Sequence, residues 1–220
     1  MRKDYQGLKE KHRELRESLS DSTGLRIHRG LSWLQVAELT DDLDTRFLLL
    51  WISFNSIYAQ EFNEQNTFGE KGLLNRFIGR LVRLDKDDLI HSIVWENYSN
   101  KIRLFINNPY VTRWFWGFQN GRLNRTSWEK KFARSRREAQ QALAVKDTTC
   151  FCSILFDRFY VLRNQLMHGG ATWKSKVNRA QVKDGTHILE IIIPAMIYIM
   201  LKNSQEDWGS PCFPPINELQ

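Results

Sequence analysis

Cysteine is scarce in this chain, with only three in 220 residues. Cys150 and Cys152 are separated by a single residue, a spacing that fits neither a zinc knuckle nor a redox pair, and Cys212 stands alone. This usage argues against a disulfide framework and for a reducing, cytoplasmic setting. His12, His28, His91 and His187 share no metal-ligand spacing with one another or with the cysteines, so no metal site is expected. Gly69-Glu70-Lys71-Gly72 lacks the preceding strand and the Lys-Ser/Thr pair of a phosphate loop, which disfavours ATP-driven chemistry and leaves no cofactor in prospect. Residues 1–17 alternate charges where a secretory signal would need an apolar stretch, so export by that route is not expected. The longest apolar run, residues 188–201, is about 14 residues long and holds Glu190 and Pro194, short of the roughly 20 needed to span a bilayer. It reads as a buried core helix, and a membrane is not among the expected partners. No repeat of fixed period and no low-complexity tract is visible.

Acidic residues are outnumbered, 25 against 32 basic ones, which leaves a formal charge of +7. Net charge bears on association and solubility, so an anionic partner is implied, nucleic acid first. A 42% hydrophobic content over this length suffices to bury one substantial core.

Apolar residues recur at helical intervals through most of the chain, and no stretch reads convincingly as a strand, which predicts an all-α domain. Residues 4–19 are charged nearly all round, with Leu8, Leu15 and Leu19 as the few apolar anchors, and predict a solvated or partner-binding helix. Ser20-Asp21-Ser22-Thr23-Gly24 reads as a breaker, followed by a short helix over 31–39. Thr40, Asp41, Asp42 and Asp44 supply capping oxygens and first-turn acids to a helix reaching about residue 62. Further helices are predicted over 71–84, 88–106, 128–143, 149–168 and 182–203, with Pro194 either kinking the last or marking its early turns. The conformation of residues 110–117 is left open. The tail, with Pro211, Pro214 and Pro215, is expected to run extended over the surface. Three parts follow: a charged N-terminal helix and linker at 1–24, a helical domain at 25–207 and a Pro-rich tail at 208–220.

The most specific chemical suggestion lies between residues 149 and 170. Phe151, Leu155, Phe159, Leu162 and Leu166 step by three or four and define one buried face. Asn164 and His168 share a ridge off that face, whereas Arg163 lies about 140° from His168 around the helix. Gly169 stands where a left-handed C-cap residue belongs, so His168 falls at the carbonyl end of the helix, where a positive charge is welcome. A guanidinium that forks onto phosphate oxygens, an imidazole that moves a proton and an amide that orients either one are the parts needed to cleave RNA through its own 2′-hydroxyl. The plain alternative is that Arg163 and His168 only cap a helix end and pair with acids such as Asp157.

Leu162-Arg163-Asn164-Gln165-Leu166-Met167-His168-Gly169-Gly170 resembles the signature of the HEPN superfamily, an arginine followed by a polar residue and, after four to six intervening residues in all, a histidine at a helix end. The segment 47–58, with Trp51, Phe54, Asn55, Ile57 and Tyr58, resembles the first core helix of Apea-like and related bacterial HEPN proteins. The resemblance spans roughly residues 40–203. It implies an up-and-down bundle with a four-helix core and additional helices. It also implies a metal-independent endoribonuclease of the kind found in toxin–antitoxin and other defence or stress systems, with its active site where the motif helices of two subunits face each other. Arg163 and His168 would then be catalytic, with Asn164 and more weakly Asn55 in support, and a homodimer, RNA and an antitoxin or other protein would be the partners. Other members are inactive dimerisation or binding modules. Gly169-Gly170 departs from the branch in which a tyrosine follows the histidine closely, so regulation through such a tyrosine does not carry over.

Between residues 122 and 137 the chain carries Arg122, Arg125, Lys130, Lys131, Arg134, Arg136 and Arg137 against Glu129 alone, near Trp114, Phe115, Trp116, Phe118 and Trp128. Cations interleaved with aromatics suit single-stranded RNA. A solvated helix that turns Trp128 and Phe132 to the core has the same composition.

Overall fold

A computed structural model describes residues 4–60, 69–97 and 99–213. Among them are ten α-helices and no named strand. The first, α1 (Tyr5–Glu14), is capped by the Asp4 carboxylate, which accepts from the Gly7 amide at 3.0 Å. Although charged along its length, α1 is not merely solvated, because Leu8 is fully buried in the main core. A 3-10 turn (Arg16–Ser18) then leads to α2 (Asp21–Glu38).

The helix α2 overturns the breaker expected at residues 20–24. Ser20 accepts from the Thr23 amide at 3.3 Å and starts a helix of 18 residues, of which the short helix foreseen at 31–39 is only the later part. Serine, aspartate and threonine favour a turn and a helix N-cap for the same reason, side-chain bonding to nearby amides. Burial of Ile27, Leu31 and Leu34 decides between the two here.

Asp42 starts α3 (Leu43–Tyr58) by accepting from the Thr45 amide at 2.9 Å. The helix stops at Tyr58, where Ala59 turns extended, short of the expected residue 62; residues 61 and 62 lie outside the described residues. Gly30 of α2 lies so close to α3 that a Cβ there would meet Ile57 Cγ2 at 2.7 Å, and Ser53 Oγ donates across the gap to the Gly30 carbonyl at 2.7 Å. After α4 (Gly69–Leu84), the single helix foreseen over 88–106 is divided into α5 (Leu89–Ser92), a π turn (Ile93–Asn97) and α6 (Ser99–Ile106). The open stretch near 110–117 is a 3-10 turn (Pro109–Val111) followed by α7 (Arg113–Gln119), capped by Thr112. Asn124 caps α8 (Arg125–Ala144), three residues earlier than its apolar pattern begins.

Two long helices complete the core. In α9 (Thr148–Met167), Phe151, Leu155, Phe159 and Leu162 are buried, as their spacing predicts, while Leu166, the fifth of that face, is only partly buried. α10 (Arg179–Lys202) is long and apolar enough, by length and composition, to cross a membrane, but 72% of its apolar window is buried inside the molecule. Pro194 sits in the interior of α10 rather than in its early turns. α3 packs against α2, α9 and α10, while α9 also contacts α4, α6 and α8.

The tail does not simply run over the surface. Trp208 is 1% exposed and packs edge-on against Phe77 with ring centroids 5.9 Å apart, and Pro211 bridges to Gln60. The buried guanidinium of Arg26 donates to the carbonyls of Gly209 at 2.9 Å, Ser210 at 2.5 Å and Ile57 at 3.1 Å. Burial pushes Arg26 down to about 10. Pro214 and Pro215 lie outside the described residues.

Candidate functional site

The end of α9 is built by backbone bonding. Gly170 N–H donates to the Gln165 carbonyl at 2.7 Å and Gly169 N–H to the Leu166 carbonyl at 3.4 Å, with Gly169 at φ +65°. These two bonds define a Schellman motif, and the left-handed φ explains the glycine. His168 is thereby the C-cap residue and exposed, and its ring makes no hydrogen bond or ion pair among the described residues. The chain leaving it is tied to the start of α3, where Trp173 Nε1 donates to Asp42 at 3.1 Å and the Lys174 amide to Asp44 at 3.1 Å. Arg179 forks onto both oxygens of Asp44 at 2.8 Å.

Arg163 has no acidic partner among the described residues. Its guanidinium carbon lies 5.6 Å from the Tyr160 ring centroid and 5.9 Å from that of Trp51. It donates to Asn164 Oδ1 at 2.8 Å. Asn164, foreseen as orienting the imidazole or a substrate, therefore orients the arginine beside it in sequence. Asp157, the acid foreseen as a pairing partner, is taken by Arg113 at 2.5 Å and by Arg158 at 3.1 Å. Arg158 is itself 1% exposed and donates to Ser135 Oγ at 2.7 Å and to the Ile106 carbonyl at 3.3 Å. Burial lowers the Arg158 pKa, and the Asp157 carboxylate opposes that shift.

An open groove of about 980 Å³ runs along this region, lined from α3, α4, α7, α8, α9 and the loop after α7. Asn164 and His168 line it, together with Trp51, Trp114, Trp116 and Tyr160. Arg163 does not line it, although its contacts Trp51, Tyr160 and Asn164 do, in keeping with the 140° or so that separates it from His168 around a helix. Asn55 is half-buried and not among the lining residues, although Trp51 and Tyr58 of the same helix are.

The seven basic residues of the 122–137 stretch are all exposed, and the structure divides them. Arg122 and Lys131 line the groove. Arg125 pairs with Glu129 at 2.9 Å and Arg134 with Glu138 at 2.8 Å, surface pairs one helical turn apart. Arg136 donates to Asn107 Oδ1 at 3.0 Å and lies over Phe132, while Lys130 and Arg137 extend into solvent. The aromatics divide likewise. Trp114 and Trp116 open on the groove, whereas Phe118 and Phe132 stack with Trp128 and Phe115 meets it edge-on.

Thiol chemistry is disfavoured. Burial raises both cysteines of α9, Cys152 to about 12, and a thiol so held is a poor nucleophile. Among the described residues no group of three or more His, Cys, Asp or Glu is placed to hold a metal ion. The groove instead offers an unpaired imidazole, a guanidinium without a counter-ion at its edge, the cations of Arg122 and Lys131 beside the Arg113–Asp157 pair, and several ring faces. That set can bind a phosphodiester and stack a base. Comparison with protein-family models, with curated proteins and with solved structures returned no match.

Proposed function

We propose that this chain is a metal-independent endoribonuclease of HEPN type that works as a homodimer on single-stranded RNA. The observation that carries the reading is Arg163, a guanidinium held by two ring faces and Asn164 instead of by a carboxylate, at the border of the groove into which the unpaired His168 is presented. No carboxylate neutralises Arg163 among the described residues, and the nearby Asp157 is spent on Arg113 and Arg158.

In the proposed reaction the 2′-hydroxyl oxygen attacks phosphorus and the bond to the 5′-oxygen breaks, leaving a 2′,3′-cyclic phosphate and a 5′-hydroxyl. A base accepts the 2′-hydroxyl proton, His168 supplies one to the departing oxygen, and Arg163 stabilises the crowded phosphorane. Arg163 and His168 of one chain point to different sectors of α9, so the pair is completed by the arginine of a second copy. Met167, Trp173 and Val177 are exposed apolar residues on that helix end and the segment after it, suited to such a contact. Arg122 and Lys131 then hold the flanking phosphates, and Trp114 and Trp116 receive bases.

The test is cleavage of single-stranded RNA and tRNA by purified protein in chelator, with product ends identified. Arg163→Ala and His168→Ala are each expected to lower the rate by about 10²–10⁴-fold while leaving thermal stability intact. Absence of chelator-resistant cleavage in the wild type, or a strictly monomeric protein, would remove the catalytic reading. A second reading, a catalytically inactive RNA- or protein-binding module, is favoured by the exclusion of Arg163 from the groove within one chain. It requires RNA binding that survives His168→Ala.

A further inference from the structure

On another part of the molecule, α1 and the first turns of α2 enclose a groove of about 510 Å³ that shares no lining residue with the one beside His168. Lys9, His12 and Arg13 of α1, Arg16 of the 3-10 turn that follows it and His28 of α2 all line it. Asp21 is the sole acid that lines it. None of Lys9, Arg13 and Arg16 forms an ion pair among the described residues; of the α1 acids, Glu10 accepts from Gln6 at 2.9 Å and Glu14, beside Arg13 in sequence, pairs with none of them.

We propose that this groove binds a small ligand bearing a pyrophosphate or longer phosphate chain, gripped by Lys9, Arg13, Arg16 and His28 over the buried His12. The charges that gather here repel one another. Lys9 is held below the usual ammonium value by burial and then by Arg13 and Arg16. Both imidazoles are lowered too, by burial first and next by Lys9. Asp21, the one acid on the lining, forms no ion pair with any of them. Like charges assembled in a cleft cost free energy that a polyanion would recover.

The local bonding is poised for the exchange. Lys9 Nζ donates to His28 Nδ1 at 3.4 Å, which requires the lone pair on that ring nitrogen. The His12 and His28 rings lie stacked 6.3 Å apart. A bound phosphate chain draws Lys9 onto its own oxygens and frees Nδ1 to take a proton, so that His28 becomes a fourth cationic donor. Binding is therefore coupled to proton uptake and tightens as pH falls, under the influence of Lys9, Arg13 and Arg16 on one side and Asp21 and Arg29 on the other. The enclosed volume is in the range of small-ligand pockets, about 300–1,000 Å³, which favours a discrete ligand over a polynucleotide laid along a surface.

The proposal is independent of the ribonuclease reading and is tested by titrating inorganic pyrophosphate into the full chain at low salt, by calorimetry, at about pH 6 and about pH 7.5. One site per chain is expected, tighter at the lower pH, with a rise in melting temperature on saturation. Arg13→Ala combined with Arg16→Ala, both exposed and outside the core, should weaken binding about tenfold or more without lowering the melting temperature of the free protein. His28→Gln should flatten the pH dependence, whereas Arg163→Ala should change nothing. Neither heat nor a melting shift with pyrophosphate, or equal affinity in the double variant, overturns the proposal. So does a single-stranded RNA oligonucleotide that binds through Arg13 and Arg16 while pyrophosphate fails to displace it.

Discussion

Replacing Arg158 with methionine tests how the wall of the large groove is held. The side chain is buried on α9 and joins three elements: Ile106 at the end of α6 through its carbonyl, Ser135 on α8 through its hydroxyl, and Asp157, which in turn grips Arg113 of α7. Methionine keeps most of the length and volume but donates nothing. The Ser135 hydroxyl and the Ile106 carbonyl, in residues 4% and 1% exposed, then lose the bonds Arg158 gives them. Each buried polar group left unpaired costs about 1–3 kcal/mol. Part of that is returned because a guanidinium no longer has to be stripped of water, a penalty that its lowered pKa reports. The balance is a loss of about 2–4 kcal/mol, within the roughly 5–15 kcal/mol of a typical domain, so the variant still folds. Urea unfolding followed by tryptophan fluorescence measures it, and Ser135→Ala should cost less in the Arg158→Met background than in the wild type. A variant within about 0.5 kcal/mol of wild type, or strictly additive costs, would refute this account of the wall.

Gly30→Ala gains about 1 kcal/mol of helix propensity but drives a Cβ to 2.7 Å from Ile57 Cγ2 in a fully buried contact, and overpacking of that kind costs about 1–3 kcal/mol. A lower melting temperature is expected, and an unchanged or higher one would show that α2 and α3 have room to part. Acid should weaken the protein through the α1–α2 groove. His12 and His28 are depressed below 6.5 in the folded chain, so the unfolded chain binds more protons, and the stability they contribute is present above 6.5 and lost as pH falls through their folded values. Thermal melts from about pH 7.5 down to about pH 5.5 should show this loss, and His28→Gln should reduce it. Identical acid sensitivity in that variant would exclude His28 as a cause.

What was legible in the sequence was whatever a single helix could declare. The three- and four-residue steps of Phe151, Leu155, Phe159 and Leu162 predicted the buried face of α9, and Gly169 marked its end before any partner helix was known. Ser20, Asp21 and Thr23 were misread because a turn and a helix start use the same side-chain bonds, and only burial of Ile27 and Leu31 chooses between them. The groove shows the same limit. Asn164 and His168 come from the motif helix, but Trp51 and Trp114 reach it from helices far apart in the chain. Arg158 and Arg26 were invisible for a different reason. A buried guanidinium is recognisable only through the carbonyls and hydroxyls that surround it, and these come from other helices and from the tail.

The grip of Arg26 on Gly209 and Ser210 also has a consequence for the order of assembly. These contacts close loops of 183 and 184 residues, so they are among the last that a collapsing chain can make. Until then the guanidinium must keep its water, and the slot over Phe77 stays without its tryptophan. Weakening this clasp should speed unfolding far more than it slows folding, which makes the tail a latch on kinetic lifetime rather than a guide to the native topology.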